Sequence, residues 1–243
     1  MYEYILFDLD GTLTDPKQGI TGCVQYALHK MGIEEPDADK FTPFIGPPLL
    51  DSFHEFYGFN EEQGWQATEY YRERFRVTGW CENEVYPGMD RLLANLKASR
   101  KKLAVASSKP QEFVEQILVH FELRPYFDVV VGSGMDGTRT KKEDVVEEAL
   151  RQLLPGQMFQ EIMDMKRESG EAEGPEKTGI TAGDQKYDAI AMVGDRKFDI
   201  AGAKAYHITG IGVAYGYAAP GELEKAGADV IAETVEELGK VLL

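Results

Sequence analysis

Apolar residues along this chain follow two alternating rhythms: short unbroken runs, and longer stretches in which they recur every three or four positions. The unbroken runs cover 4–7, 102–106, 127–131, 189–193, 210–213 and 228–231. Runs of this length without a polar face suit strands covered on both sides, and their alternation with helical segments predicts a parallel α/β sheet. Helices are expected over 110–121, where proline suits the first turn, and over 142–154. Another is expected over 235–242, where Thr234 is a candidate N-cap with Glu237 three positions on.

Between Asp15 and Tyr86 the pattern is helical, over 17–31, 49–57 and 61–78, with no convincing strand. This predicts an all-helical cap domain, 16–84, inserted into a Rossmann-like core made of 1–15 and 85–243, with hinges at Asp15-Pro16 and 84–87. Within it, Phe44-Ile45-Gly46-Pro47-Pro48-Leu49 is a rigid turn. Tyr71, Arg72, Arg74 and Arg76 read mainly as the solvated side of a helix. A second interruption covers 155–188. Its middle, 168–183, is rich in Gly and Glu and nearly free of aliphatic residues, the composition of a mobile surface insertion. Ahead of it, Met158, Phe159, Ile162, Met163 and Met165 extend the preceding helix with an apolar stripe. Such stripes more often pack on their own core than on a second subunit.

Composition narrows the function. The chain has 243 residues, 42 of them Asp or Glu against 26 Lys or Arg, for a net charge of −16. Nucleic acid and anionic membrane surfaces select basic patches, so neither is expected as a partner. An anionic substrate would need local cations, a metal or backbone N–H groups to overcome the general repulsion. The two cysteines, Cys23 and Cys81, stand in unrelated contexts, which fits reduced thiols in the cytoplasm. No run reaches the ~18 apolar residues of a membrane span.

Four polar clusters follow apolar runs, and the C-terminal ends of parallel strands share one edge. In Asp8-Leu9-Asp10-Gly11-Thr12 the alternation of an extended chain points both carboxylates to one side, where they repel unless a cation or a proton intervenes. Ser107-Ser108 offers hydroxyls and free N–H groups to a phosphate, or simply caps the next helix. Thr140-Lys141-Lys142 offers a lysine that could neutralise an aspartate and a phosphoryl oxygen together. In Gly194-Asp195-Arg196-Lys197-Phe198-Asp199 the two acids are four apart at a helix start, suited either to capping or to Mg²⁺.

Taken in that order, Phe-Asp-Leu-Asp-Gly-Thr-Leu, the run ending in Ser107, the lysine pair and Gly-Asp-x-x-x-Asp resemble the haloacid dehalogenase superfamily over essentially the whole chain. The helical insert after the first motif is similar to its phosphoglycolate phosphatase and β-phosphoglucomutase branch. The resemblance implies Asp8 as nucleophile and Asp10 as general acid/base. It implies phosphate contacts from Thr12, Ser107, Ser108 and a lysine, Lys142 being favoured over Lys141, and a cap loop presenting Gly46. Mg²⁺ would be held by Asp8, the Asp10 carbonyl and Asp195, with Asp199 in or near the shell. The implied activity is hydrolysis of a small phosphate ester, phosphoglycolate-like or nucleotide-like, through an aspartyl phosphate, by a monomer or weak homodimer. Two alternatives are a sugar phosphomutase and a catalytically silent binding protein of the same fold.

Overall fold

The computed structural model describes residues 1–171 and 187–243. Its strands are β1 (Tyr4–Phe7), β2 (Thr14–Asp15), β3 (Glu84–Val85), β4 (Lys102–Pro110), β5 (Val129–Ser133), β6 (Tyr187–Gly194), β7 (Ile208–Val213) and β8 (Val230–Ala232). Six of them form a parallel sheet in the order β5-β4-β1-β6-β7-β8. The helices are α1 (Lys17–Lys30), α2 (Leu49–Tyr57), α3 (Glu61–Arg74), α4 (Met89–Ala98), α5 (Gln111–His120), α6 (Lys142–Leu153), α7 (Gly156–Glu171), α8 (Lys197–Ala205), α9 (Glu222–Ala226) and α10 (Val235–Leu242).

The unbroken apolar runs have the expected cause. In β1, Ile5 and Phe7 face one layer of helices together with Leu93, Ile117 and Leu238. Tyr4 and Leu6 face the other, with Val146, Ile162 and Ala203. Both sides are covered, so neither can be polar. Two strands start later than the pattern suggests, β5 at Val129 and β8 at Val230. In each case an aspartate side chain takes the first ladder donor: Asp128 accepts the Leu103 N–H at 2.9 Å, and Asp229 the Gly210 N–H at 2.8 Å.

Every regular element from 16 to 83 is helical, including a 3₁₀ turn at Ala38–Phe44 and a π-helical turn at Phe75–Gly79, where α3 stops short of the expected 78. The expectation of no strand in this region is corrected at its ends. β2 and β3 pair antiparallel, Thr14 opposite Val85 and Asp15 opposite Glu84. Strands of two residues are too short to show a period. The insert shares one apolar core with the sheet, the rings of Phe75 and Phe113 meeting at 4.8 Å.

The expected surface insertion over 155–188 is corrected at its two ends only. Leu154 is extended (φ −89°, ψ 153°) and ends α6, and Pro155 precedes a separate helix, α7. Its stripe packs on the sheet, with Ile162 fully buried and Met158, Phe159, Met163 and Met165 against the same core. Tyr187 and Asp188 already belong to β6. The remaining part of that expectation, 172–186, lies outside the described residues. No described helix is long and apolar enough to cross a membrane.

Candidate active site

Strand register builds the site. Phe7 pairs with Val105 on one side and Val193 on the other, so three adjacent strands deliver Asp8, Ser107 and Asp195 to one edge. Strand order runs outward in both directions from β1, and ligands bind in the crevice at such a switch point. The Asp8 N–H is held by the Val193 carbonyl at 2.9 Å. The chain then turns at Gly11, whose φ is +83° and where a Cβ would fall 2.2 Å from Asp195 Oδ2. Glycine is required twice over, for the left-handed backbone and for the close approach of Asp195.

Asp8, Asp195 and Asp199 are buried, and each offers a carboxylate oxygen within 4.8 Å of the others'. Lys142 reaches in from the start of α6. Its Nζ lies 2.9 Å from Asp8 Oδ1 and 2.8 Å from Asp199 Oδ1, ion-pair contacts made off the hydrogen-bond axis, and donates to the Ala106 carbonyl at 3.1 Å. Lys141 is exposed, and of the doublet it is Lys142 that reaches the carboxylates. Asp195 Oδ2 accepts the Tyr217 N–H at 2.7 Å, and its Oδ1 accepts the Thr12 hydroxyl at 3.5 Å. Asp199 Oδ2 accepts the Arg196 N–H at 3.0 Å. Asp10 Oδ2 accepts from Lys109 Nζ at 2.6 Å, while Asp10 Oδ1 is buried without a hydrogen-bond partner.

Burial dominates the protonation of these groups. It raises the Asp195 carboxyl well above the usual range, and Asp199 and Asp8 add to the effect. It pushes Asp199 up to about 6 in spite of Lys142. It raises Asp10 as well, against the pull of Lys109. For Lys142 burial opposes the charge, but Asp199 and Asp8 outweigh it and hold the ammonium proton more tightly than usual. Of the three clustered carboxylates, Asp8 and Asp199 thus share one lysine, and Asp195 has none beside it. An all-oxygen, electron-rich donor set of this kind fits a hard divalent cation.

The model of haloacid dehalogenase-like hydrolases matches residues 5–213. The chain belongs to that family. A 5'-nucleotidase of Pseudomonas aeruginosa is 42% identical over 222 residues, 91% of this chain and 87% of that protein. The crystal structure of a predicted phosphatase from Clostridium acetobutylicum matches with a TM-score of 0.83 and 41% identity, covering 100% of this chain and 98% of that one. The protein named tyrosine-protein kinase PtkA of Mycobacterium tuberculosis is 33% identical over 242 residues, 99% of this chain and 72% of that protein.

In this haloacid dehalogenase-like hydrolase the edge opens into a cavity of about 220 Å³, lined by Asp8, Asp10, Ser107, Ser108 and Gly46 and roofed by Phe44, Leu49, Trp65, Tyr71 and Phe75 of the insert. Ser107 caps nothing: α5 starts beyond Pro110 without a side-chain cap, and the Ser107 hydroxyl accepts the Lys109 N–H at 3.4 Å. Thr12 is not on the cavity wall, and its hydroxyl is turned to Asp195. Gly46 is on the wall with φ +103°, its Cα side pressed against Arg196. Arg196 donates to the Ile45 carbonyl and, at 3.0 Å, to Glu222, tying the turn to the core. Tyr71 and Arg72 are buried on the wall rather than solvated, because the sheet edge lies under that face of α3. Sequence reasoning missed Lys109, Arg196 and Tyr217. The first could have been found as a lysine at a strand's C-terminal edge.

Proposed function

We propose that this hydrolase is a Mg²⁺-dependent phosphatase of small phosphate monoesters in which Asp8 attacks phosphorus. The observation that carries the reading is Asp8, beside the ammonium of Lys142 and two further buried carboxylates, on the wall of a cavity between the sheet edge and the insert. The Asp8 carboxylate attacks in line, the bond from phosphorus to the ester oxygen breaks, and Asp10 gives a proton to the departing alcohol. Asp10 Oδ1, which accepts no hydrogen bond, is the oxygen available for that proton, while Lys109 anchors Oδ2. In the second half Asp10 takes a proton from water, which attacks phosphorus and frees Asp8. Lys142 and the Ser107 hydroxyl hold the phosphoryl oxygens. Bound by Asp8, the Asp10 carbonyl and Asp195, with Asp199 in or near the shell, Mg²⁺ would offset the repulsion between carboxylate and phosphate.

In this reading residues 16–84 are the cap that excludes water and selects the leaving group, and 1–15 with 85–243 are the catalytic core. The name of the Pseudomonas relative supports a nucleotide among the substrates. Release of inorganic phosphate from an aryl phosphate and from a panel of metabolite phosphates tests the proposal. Mg²⁺-dependent turnover that vanishes in a folded Asp8→Asn variant is expected. Undiminished activity of that variant removes the nucleophile, and activity in excess chelator removes the metal.

A further inference from the structure

Trp65 and Arg72 stand two turns apart on α3 and belong to the wall of the same cavity as Asp8. The Arg72 guanidinium carbon lies 5.8 Å from the centre of the Trp65 ring. Its side chain is only 10% exposed, and its one hydrogen bond among the described residues runs from Nη1 to Glu69 at 2.8 Å. A guanidinium has five N–H donors, so most of this one is unspent. The Trp65 ring is steadied from the core side, where a Cβ on Gly137 would lie 3.1 Å from its Cη2. The cavity therefore ends, on the insert, in a flat aromatic surface with a buried fork of donors beside it.

A second anion on the substrate and a neutral ring with hydrogen-bond acceptors could each use that fork. The other charged groups here decide between them. Asp51 and Asp136 line the cavity, and Glu69 already neutralises Arg72. A substrate carboxylate would meet net negative charge, whereas a neutral base would meet a stacking surface and a donor.

We infer that the substrate is a nucleoside monophosphate whose base stacks on Trp65 and accepts a hydrogen bond from Arg72. The inference rests on the phosphatase reading for the position of the phosphate, and two readouts keep the two apart. The first is fluorescence. The chain has two tryptophans, Trp65 and Trp80, so a Trp80→Phe, Asp8→Asn protein reports on Trp65 alone without turnover. Adenosine, guanosine and uridine monophosphates with Mg²⁺ quench it saturably, and phosphoglycolate does not. The second is specificity. Trp65→Ala and Arg72→Met each lower the ratio of kcat/KM for nucleotide over phosphoglycolate by about 10- to 100-fold, and Trp65→Phe restores most of the loss. Equal losses on both substrates, or no quenching by nucleotides, overturn the base site. Phosphoglycolate turnover without quenching does so while leaving the phosphatase reading intact. Quenching without turnover of any ester supports the base site and overturns the phosphatase reading.

Discussion

Replacing Lys142 by methionine removes a charge while keeping length, and so isolates the electrostatics of the site. The stem of Lys142 packs against Gly202, where a Cβ would come 3.1 Å from its Cγ, and methionine fills the same space. What is lost is the cation 2.9 Å from Asp8 and 2.8 Å from Asp199. The side chains of Lys142, Asp8 and Asp199 are 6%, 5% and 1% exposed, which places the pair among buried ones. Breaking a buried pair by removing one partner costs about 3–5 kcal/mol, against ~0–1 kcal/mol at a surface. At roughly 2–4 °C per kcal/mol for a chain of this size, Tm falls by about 6–20 °C. The pH dependence has a definite sign. Asp199 is already raised to about 6 by burial, and Lys142 is what restrains it. Without the lysine its carboxyl rises further. A raised carboxyl binds its proton more tightly folded than unfolded, so protonation favours the fold and the penalty shrinks as pH falls through the folded value. Melts of both proteins in chelator therefore differ most near pH ~8 and converge toward pH ~5.5. A deficit below about 1 kcal/mol at the higher pH, or one that widens on acidification, refutes the reasoning.

Three further outcomes follow from other parts of the molecule. Mg²⁺ at about 100 times its Kd stabilises the native protein by ~2.7 kcal/mol in thermal melts, and Asp195→Asn reduces that shift; an undiminished shift in the variant removes Asp195 from the metal site. Cys81 is exposed, while the Cys23 thiol is buried and pushed up to about 11 by that burial, so a chromogenic disulfide titrates one thiol quickly and the second only on unfolding. Two fast thiols contradict the packing around Cys23. Gly46→Ala places a side chain at φ +103° against Arg196 and costs about 1–3 kcal/mol by urea unfolding; a change within ~0.5 kcal/mol shows the turn to be unstrained.

Much of the architecture was legible because parallel strands buried on both faces leave unbroken apolar runs, and because Asp8, Ser107 and Asp195 sit where such a run stops. Asp8 and Asp195 could be placed at one edge from that pattern alone. The paired hinge strands could not, since two residues carry no periodicity. Lys109 was hidden in a segment that reads as helix-capping sequence. Its burial is set by Asp10, 99 positions away, and by the Phe75 ring 4.7 Å from its Nζ. Tyr217 contributes a main-chain N–H to Asp195, and a main-chain donor has no residue signature. Arg72 looks like any polar residue of α3. Its burial depends on which side of that helix the sheet edge covers.

The pairing of Thr14 with Val85 and of Asp15 with Glu84 gives the insert a peculiar standing. Its two ends leave the core at one point, so to the rest of the chain everything from 16 to 83 is the overlong tip of a hairpin. Closing such a tip becomes only about 0.6 kcal/mol harder with each doubling of its length. Chain entropy therefore sets little limit on the length of this cassette, provided that whatever stands there covers the apolar surface Phe75 now shares with Phe113. Asp8, Asp10, Ser107, Lys142 and Asp195 all lie outside it, so a change of cassette length leaves the polar groups gathered at the sheet edge in place.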